Sequence, residues 1–153
     1  MKQADEKTVA ALAATWGALP DREAVLEAAK IWLGTEKQRL KSEFEQSGDA
    51  LKLLASHSAA MDILVTTLFR LAGQGDAARV AVAAVGGYGR RELFPYSDID
   101  ILFLHDGDAA GAEAVAGYVL YMLWDMGLSV GQAHRSVDDA LAMALLDITI
   151  RTN

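Results

Sequence analysis

At residue 80 the hydrophobic period of the chain changes from that of a helix to that of a strand, and glycine and acid punctuate the change. Val80-Ala81-Val82-Ala83-Ala84-Val85 is apolar throughout, rich in β-branched residues and too short for a helix, which predicts a buried strand over 80–85. The run stops at Gly86-Gly87. Ten residues further on, Asp98-Ile99-Asp100-Ile101-Leu102-Phe103-Leu104 predicts a second strand over 98–104, with acid at alternate positions at its start. Alternation sends Asp98 and Asp100 to one face and Ile99 to the core. Two convergent carboxylates suit a hard, oxygen-seeking cation such as Mg²⁺. Gly86 and Gly87 let backbone approach a ligand closely and can present successive amides to phosphate oxygens. Arg90 adds fixed positive charge, and Ser97 adds a hydroxyl beside the first carboxylate. Together these residues point to phosphoryl or nucleotidyl transfer.

Neither of the commoner glycine-rich phosphate motifs fits. No Lys-Ser/Thr pair follows the glycines as a P-loop requires, and Gly86, Gly87 and Gly89 lie too close together for G-x-G-x-x-G. The residues before the switch are helical in pattern. Helices are expected over 21–40, over 37–45 with an end near Ser47-Gly48, and over 49–71, closed by the Gly73-Gln74-Gly75-Asp76 loop. After the acidic strand, a helix is expected over 113–126 with Gly127 as its cap. A third strand over 128–137, a helix over 138–146 and a fourth strand over 147–152 follow. The organisation reads as an N-terminal helical segment over 1–76 and a core over 77–153. The end at Thr152-Asn153, inside an apolar-alternating run, reads as a truncation point.

Composition narrows the setting. The 153 residues carry 14 Lys+Arg against 21 Asp+Glu, a net charge of -7, which argues against a sequence-independent coat on nucleic acid. The absence of cysteine excludes disulfides, thiolate metal sites and a cysteine nucleophile, and fits the cytoplasm. Asp5 and Glu6 stand where a signal peptide needs positive charge, and the longest apolar runs fall short of the ~20 residues that span a bilayer, so neither a leader nor a membrane partner is expected. Asp5 and Glu6 themselves read as a solvated, disordered start. His57, His105 and His134 read as surface or capping residues without metal spacing, and Tyr121 and Trp124 as core packing. Tyr88 and Tyr96 flank the candidate site, open equally to nucleotide contact and to loop packing, while Arg91 and Glu92 read as solvent-facing.

The glycine pair, ten intervening residues and Asp98-Ile99-Asp100-Ile101 resemble the signature of the DNA polymerase β-like nucleotidyltransferase superfamily. The longer text GGYGRRELFPYSDIDILFLH, followed by LWDMGLSVGQAHRSVDDA and LDITIRT, resembles the N-terminal transferase domain of the bifunctional uridylyltransferase/uridylyl-removing enzymes that modify the nitrogen-signal protein PII. Phe44, Gly48, Leu54, Ser58 and Asp62 are similar to that family's helical lead-in, so the resemblance covers roughly residues 40 to 153. The related glutamine-synthetase adenylyltransferases resemble the chain less. The resemblance implies an α/β (α+β) polymerase β-like fold, with a small mixed sheet flanked by helices. It implies transfer of UMP from UTP to a tyrosine of PII with release of pyrophosphate. It also implies two Mg²⁺ ions held by Asp98 and Asp100 as catalytic residues, and phosphates met by Gly86, Gly87, Arg90 and Ser97. Superfamily sites use a third acidic residue, for which Asp138, Asp139, Asp147 or a residue beyond Asn153 are candidates. Where many members read Gly-His-Ser-Val-Arg-Thr, this chain reads Gly131-Gln132-Ala133-His134-Arg135-Ser136. Uridylyl removal and glutamine sensing belong to domains that this sequence does not contain. Transfer of another nucleotide to another acceptor, or an inactive nucleotide-binding or interaction fragment, are the alternatives.

Overall fold

Two aspartates start the two long helices. The side chain of Asp21 accepts the backbone N–H of Ala24, and that of Asp49 accepts the N–H of Lys52, so each satisfies an amide that a helix start leaves open. The computed structural model describes residues 3–73, 80–107 and 109–143. It opens with α1 (Gln3–Gly17), α2 (Arg22–Ser47) and α3 (Ala50–Ala72). The stretches expected over 21–40 and 37–45 are one helix. Nothing between them caps or breaks the backbone, and Arg39 reaches back to Glu36 at 2.8 Å and forward to Glu43 at 2.6 Å across the expected join. Gly48, at φ 63, ends α2 by donating its N–H to the Phe44 carbonyl, as its position suggested.

The acidic start departs from expectation. Asp5 and Glu6 lie in the first turn of α1, where carboxylates favour the helix dipole, and Glu6 pairs with Arg70 of α3. Val9 and Trp16 of that helix are buried, and Trp16 meets Trp32 of α2 edge to face at 6.4 Å. The order β1 (Val80–Ala84), the single turn α4 (Gly86–Gly89), β2 (Ile99–His105), α5 (Ala109–Asp125) and β3 (Val130–Ser136) follows. Residues 137–143 are helical, and the expected fourth strand, with Asp147, lies outside the described residues.

The architecture is mixed α/β. β2 is the central strand, antiparallel to β1 and parallel to β3, with α5 as the crossover that a parallel pair requires. Along β2, Ile99, Ile101 and Phe103 are buried, and they join Met61, Leu64 and Leu68 of α3 and Val119 and Leu123 of α5 in one core. The opposite face of β2 carries Asp100, Leu102 and Leu104. Gly127, at φ 77, caps α5 as expected, with its N–H on the Trp124 carbonyl. Tyr121 and Trp124 are not core residues. They are 60% and 44% exposed and pack edge to face on each other, because the buried stripe of α5 runs through Ala116, Val119, Leu120 and Leu123. No helix among the described residues is long and apolar enough to cross a membrane.

Candidate active site

The loop between β1 and β2 folds back on the start of β2. The Val85 N–H donates to the Asp100 carbonyl, and Gly86 then turns the chain at φ 59 into α4, which the Gly89 N–H closes on the Val85 carbonyl at 2.9 Å. The left-handed backbone at Gly86 favours glycine, and a second constraint adds to it: a Cβ there would sit 2.7 Å from Oδ2 of Asp100. Across the sheet, Asp100 is register partner to Gly131 of β3, where a Cβ would fall 2.3 Å from Oδ1. The half-buried carboxylate of Asp100 is therefore seated between two backbones that approach it only because both residues are glycine. Gly131 thus lies against this seat, although in the sequence it stands only as the first residue of the segment Gly131-Gln132-Ala133-His134-Arg135-Ser136. A glycine inside a strand pattern is the signal that marks it.

The remaining candidates surround this seat at different removes. Asp98 is exposed immediately ahead of β2, Ile99 is buried and Asp100 is half-buried, an alternation of burial along the start of the strand. Gly87 accepts the Glu92 N–H on its carbonyl at 2.9 Å. Arg90 is exposed and pairs with Glu92 at 3.1 Å. The hydroxyl of Ser97 donates to the Phe94 carbonyl at 2.8 Å and so closes its own turn. The structure thus brings Gly86 and Asp100 together and leaves Arg90 and Ser97 on the rim, each with a local partner. Asp139 caps the helix at 137–143 with Ser136: its N–H donates to the Ser136 hydroxyl at 3.0 Å, and that hydroxyl donates to its carboxylate at 2.7 Å.

What fixes the loop is α3. Leu93, 2% exposed, donates its N–H to the Ser58 hydroxyl at 3.3 Å and accepts from Nδ1 of His57 at 3.0 Å. Arg91, held at φ 62, pairs with Asp62 at 3.1 Å, and the buried Tyr88 hydroxyl donates to the same carboxylate. Burial, and then the Asp62 charge, push the Tyr88 phenol far up, so it remains a donor at any physiological pH. Tyr88 is a packing residue, whereas Tyr96 is 98% exposed. His57 is no surface residue either. It is 8% exposed, and burial lowers its affinity for a proton. His134 stacks on the buried Phe103 ring at 5.3 Å, and His105 carries a buried Nδ1 without a partner among the described residues.

The donor set fits Mg²⁺, which usually takes one or two carboxylates and completes its shell with water and substrate phosphate. Asp98 and Asp100 are the residues that would supply those carboxylates, and no cluster of three or more His, Cys, Asp or Glu residues able to hold a metal exists among the described residues.

Comparison with curated proteins places the whole chain against the bifunctional uridylyltransferase/uridylyl-removing enzyme of Phenylobacterium zucineum, 36% identical over 162 aligned positions that make up 17% of that protein. The Rhodospirillum rubrum enzyme of the same name is 39% identical over 86% of this chain and 15% of its own length. That of Erythrobacter litoralis is 43% identical over 66% of this chain and 12% of its own length. The chain therefore spans less than a fifth of the length of these relatives. No family model matches it. No solved structure matches it.

Proposed function

Since the chain is a relative of one stretch of the bifunctional uridylyltransferase/uridylyl-removing enzymes, we propose that it is a nucleotidyltransferase unit that moves UMP from UTP to a tyrosine hydroxyl of the PII signal protein. The observation that supports the transfer chemistry is the seat of Asp100, a carboxylate enclosed by the Gly86 and Gly131 backbones at the mouth of a glycine turn. An enclosed carboxylate two residues from an exposed one, Asp98, gives a fixed and an accessible oxygen donor at the start of β2. Mg²⁺ bound there would neutralise phosphate charge and stabilise the attacking and leaving oxygens. Asp98 and Asp100 would hold that ion, and Arg90, now paired with Glu92, would add positive charge for the phosphates. Gly86 and Gly87 keep side chains out of the path of the triphosphate. The tyrosine oxygen bonds to the α-phosphorus, the bond to the bridging oxygen of pyrophosphate breaks, and the phenolic proton leaves to solvent. Positioning supplies most of the rate. The cytoplasm, where PII and UTP occur together, is the setting this reading requires.

Calorimetric titration of the chain with UTP, ATP and CTP, with and without Mg²⁺, tests the reading. Binding that requires Mg²⁺, favours UTP and disappears in Asp98→Asn and Asp100→Asn supports it, and transfer of labelled UMP to PII completes it. Binding indifferent to Mg²⁺ or to both substitutions refutes it. A second reading, a nucleotide-binding module without turnover, draws support from the lack of a third clustered acid among the described residues. It predicts the same titrations and no labelled PII.

A further inference from the structure

Ile101 and Phe103 turn one face of the sheet toward α3 and α5, and alternation along β3 defines what stands on the other. His134 stacks on the buried Phe103 ring, so its two neighbours in β3 point away from the core. Gly131 belongs to that outer face, because a Cβ there would meet the Asp100 carboxylate. Ala133 and Arg135 follow Gly131 at alternate positions, and they are the register partners of Leu102 and Leu104. On the other side, Ala83 and Ala81 of β1 pair with the same two leucines. The outer face is therefore a shallow apolar strip with Asp100 near one end and Arg135 near the other, and within the three strands no other charged side chain stands on it. Four strand residues, at about 3.3 Å each, set Arg135 roughly 13 Å along from the level of Asp100. Arg135 is exposed, its Nη1 donates to the carbonyl of its own neighbour His134 at 3.3 Å, and no carboxylate pairs with it among the described residues.

The glycine turn lies on the opposite side of Asp100. β1 runs antiparallel to β2, so its last residues reach the start of β2, where the Val85 N–H meets the Asp100 carbonyl and Gly86 comes next. Along the strand axis the order is Gly86, Asp100, Arg135. An in-line transfer keeps the attacking and leaving oxygens on opposite sides of the phosphorus. With the leaving phosphates at the glycine turn, the attacking oxygen comes from the side of Leu102 and Arg135. Resting on the nucleotidyl-transfer reading, we propose that this strip is the docking surface of the protein acceptor, and that Arg135 pairs with an acidic side chain within about four residues of the acceptor tyrosine along an extended segment. Leu102, flanked by Ala83 and Ala133, offers a flat apolar surface on which an aromatic ring can lie. The fork of Arg135 binds a carboxylate through two parallel hydrogen bonds. In a chain of net charge -7 that otherwise repels an acidic segment, a single cation on this face fixes where such a segment settles.

The experiment is calorimetry on the whole chain, first with Mg²⁺ and a UTP whose α–β bridging oxygen is replaced by methylene, which binds without transferring, and then with PII as titrant. The wild type binds both. Arg135→Glu weakens PII binding by about tenfold, and Arg135→Lys, which keeps the charge and loses the fork, weakens it by about threefold. Affinity for the Mg²⁺-nucleotide stays unchanged in both variants. Arg135 is exposed on an edge strand, so both variants keep the fold, which a thermal melt reads. Added salt weakens PII binding to the wild type more than to Arg135→Glu. PII binding equal in the wild type and Arg135→Glu, or absent from a wild-type chain that holds the Mg²⁺-nucleotide, overturns the acceptor surface and leaves the transfer reading standing. Loss of nucleotide binding in Arg135→Glu also overturns it, because the residue then serves the nucleotide. Absence of nucleotide binding by the folded wild-type chain overturns both.

Discussion

Gly131→Ala is the substitution that separates site geometry from fold stability. An alanine Cβ at that position falls 2.3 Å from Oδ1 and 3.5 Å from Cγ of Asp100, whereas ordinary contact begins near 3.4 Å. The carboxylate oxygen must therefore retreat by about 1 Å. It cannot retreat without cost, because its other oxygen already occupies the space beside Gly86, 2.7 Å from where a Cβ would stand. A misplacement of about 1 Å in a group that positions reacting atoms costs on the order of 10²-fold in rate. The backbone pulls the other way. Gly131 has no left-handed backbone to preserve, and alanine in place of glycine inside a strand gains about 0.5–1 kcal/mol of backbone entropy. The backbone gain offsets the cost of the carboxylate's retreat, so the expected variant is about as stable as the wild type, with Mg²⁺-dependent UTP binding and UMP transfer down by about two orders of magnitude. Thermal melts beside calorimetry and a labelled-transfer assay read both quantities. Full activity at wild-type stability refutes the claim that Asp100 is held by the glycine seat. Activity and melting temperature falling together refute the separation of site from fold.

Three further outcomes follow from the anchoring of the loop and its strain. Burial holds His57 below the ordinary imidazole value of 6.5, so below that pH the unfolded chain takes up a proton that the folded chain refuses; stability falls as pH drops from 7.5 to 5.5, and His57→Gln flattens that part of a denaturation-midpoint profile. Ser58→Ala removes the acceptor of the buried Leu93 N–H and lowers unfolding free energy by about 1–3 kcal/mol in a denaturant titration. Tyr96 sits at φ 71 with 98% of its surface exposed, so Tyr96→Asn, which tolerates that backbone, gains up to about 1 kcal/mol in the same titration; a loss there would show that the ring contributes contacts.

The elements legible in the sequence are those whose causes are local. Asp49 and Gly48 mark a helix start and a helix end with chemistry that acts within four residues, and the alternation around Ile99 sets which side of β2 faces the core whatever lies beyond it. What was not legible depends on partners distant along the chain. α1 has no strong apolar stripe of its own, and Val9 and Trp16 become core only because α2 and α3 lie against them. The seat of Asp100 needs Gly131, which reaches it through a parallel register that no short window displays. The same holds for the loop. His57, Ser58 and Asp62 look like ordinary helix residues, yet they bind Leu93 and Arg91 some 29 to 36 positions later. Those bonds occupy both backbone groups of a fully buried leucine and hold Arg91 in a left-handed conformation that costs a non-glycine residue about 1–2 kcal/mol. A glycine turn and an Asp-Ile-Asp strand are therefore not a self-sufficient unit here. Without α3 the Leu93 amide and carbonyl would be buried unpaired, and the turn that presents Gly86 to Asp100 would lose what opposes its strain. The resemblance upstream at Ser58 and Asp62 thus has a physical reading of its own: these residues hold the loop, and through it the geometry of the carboxylates.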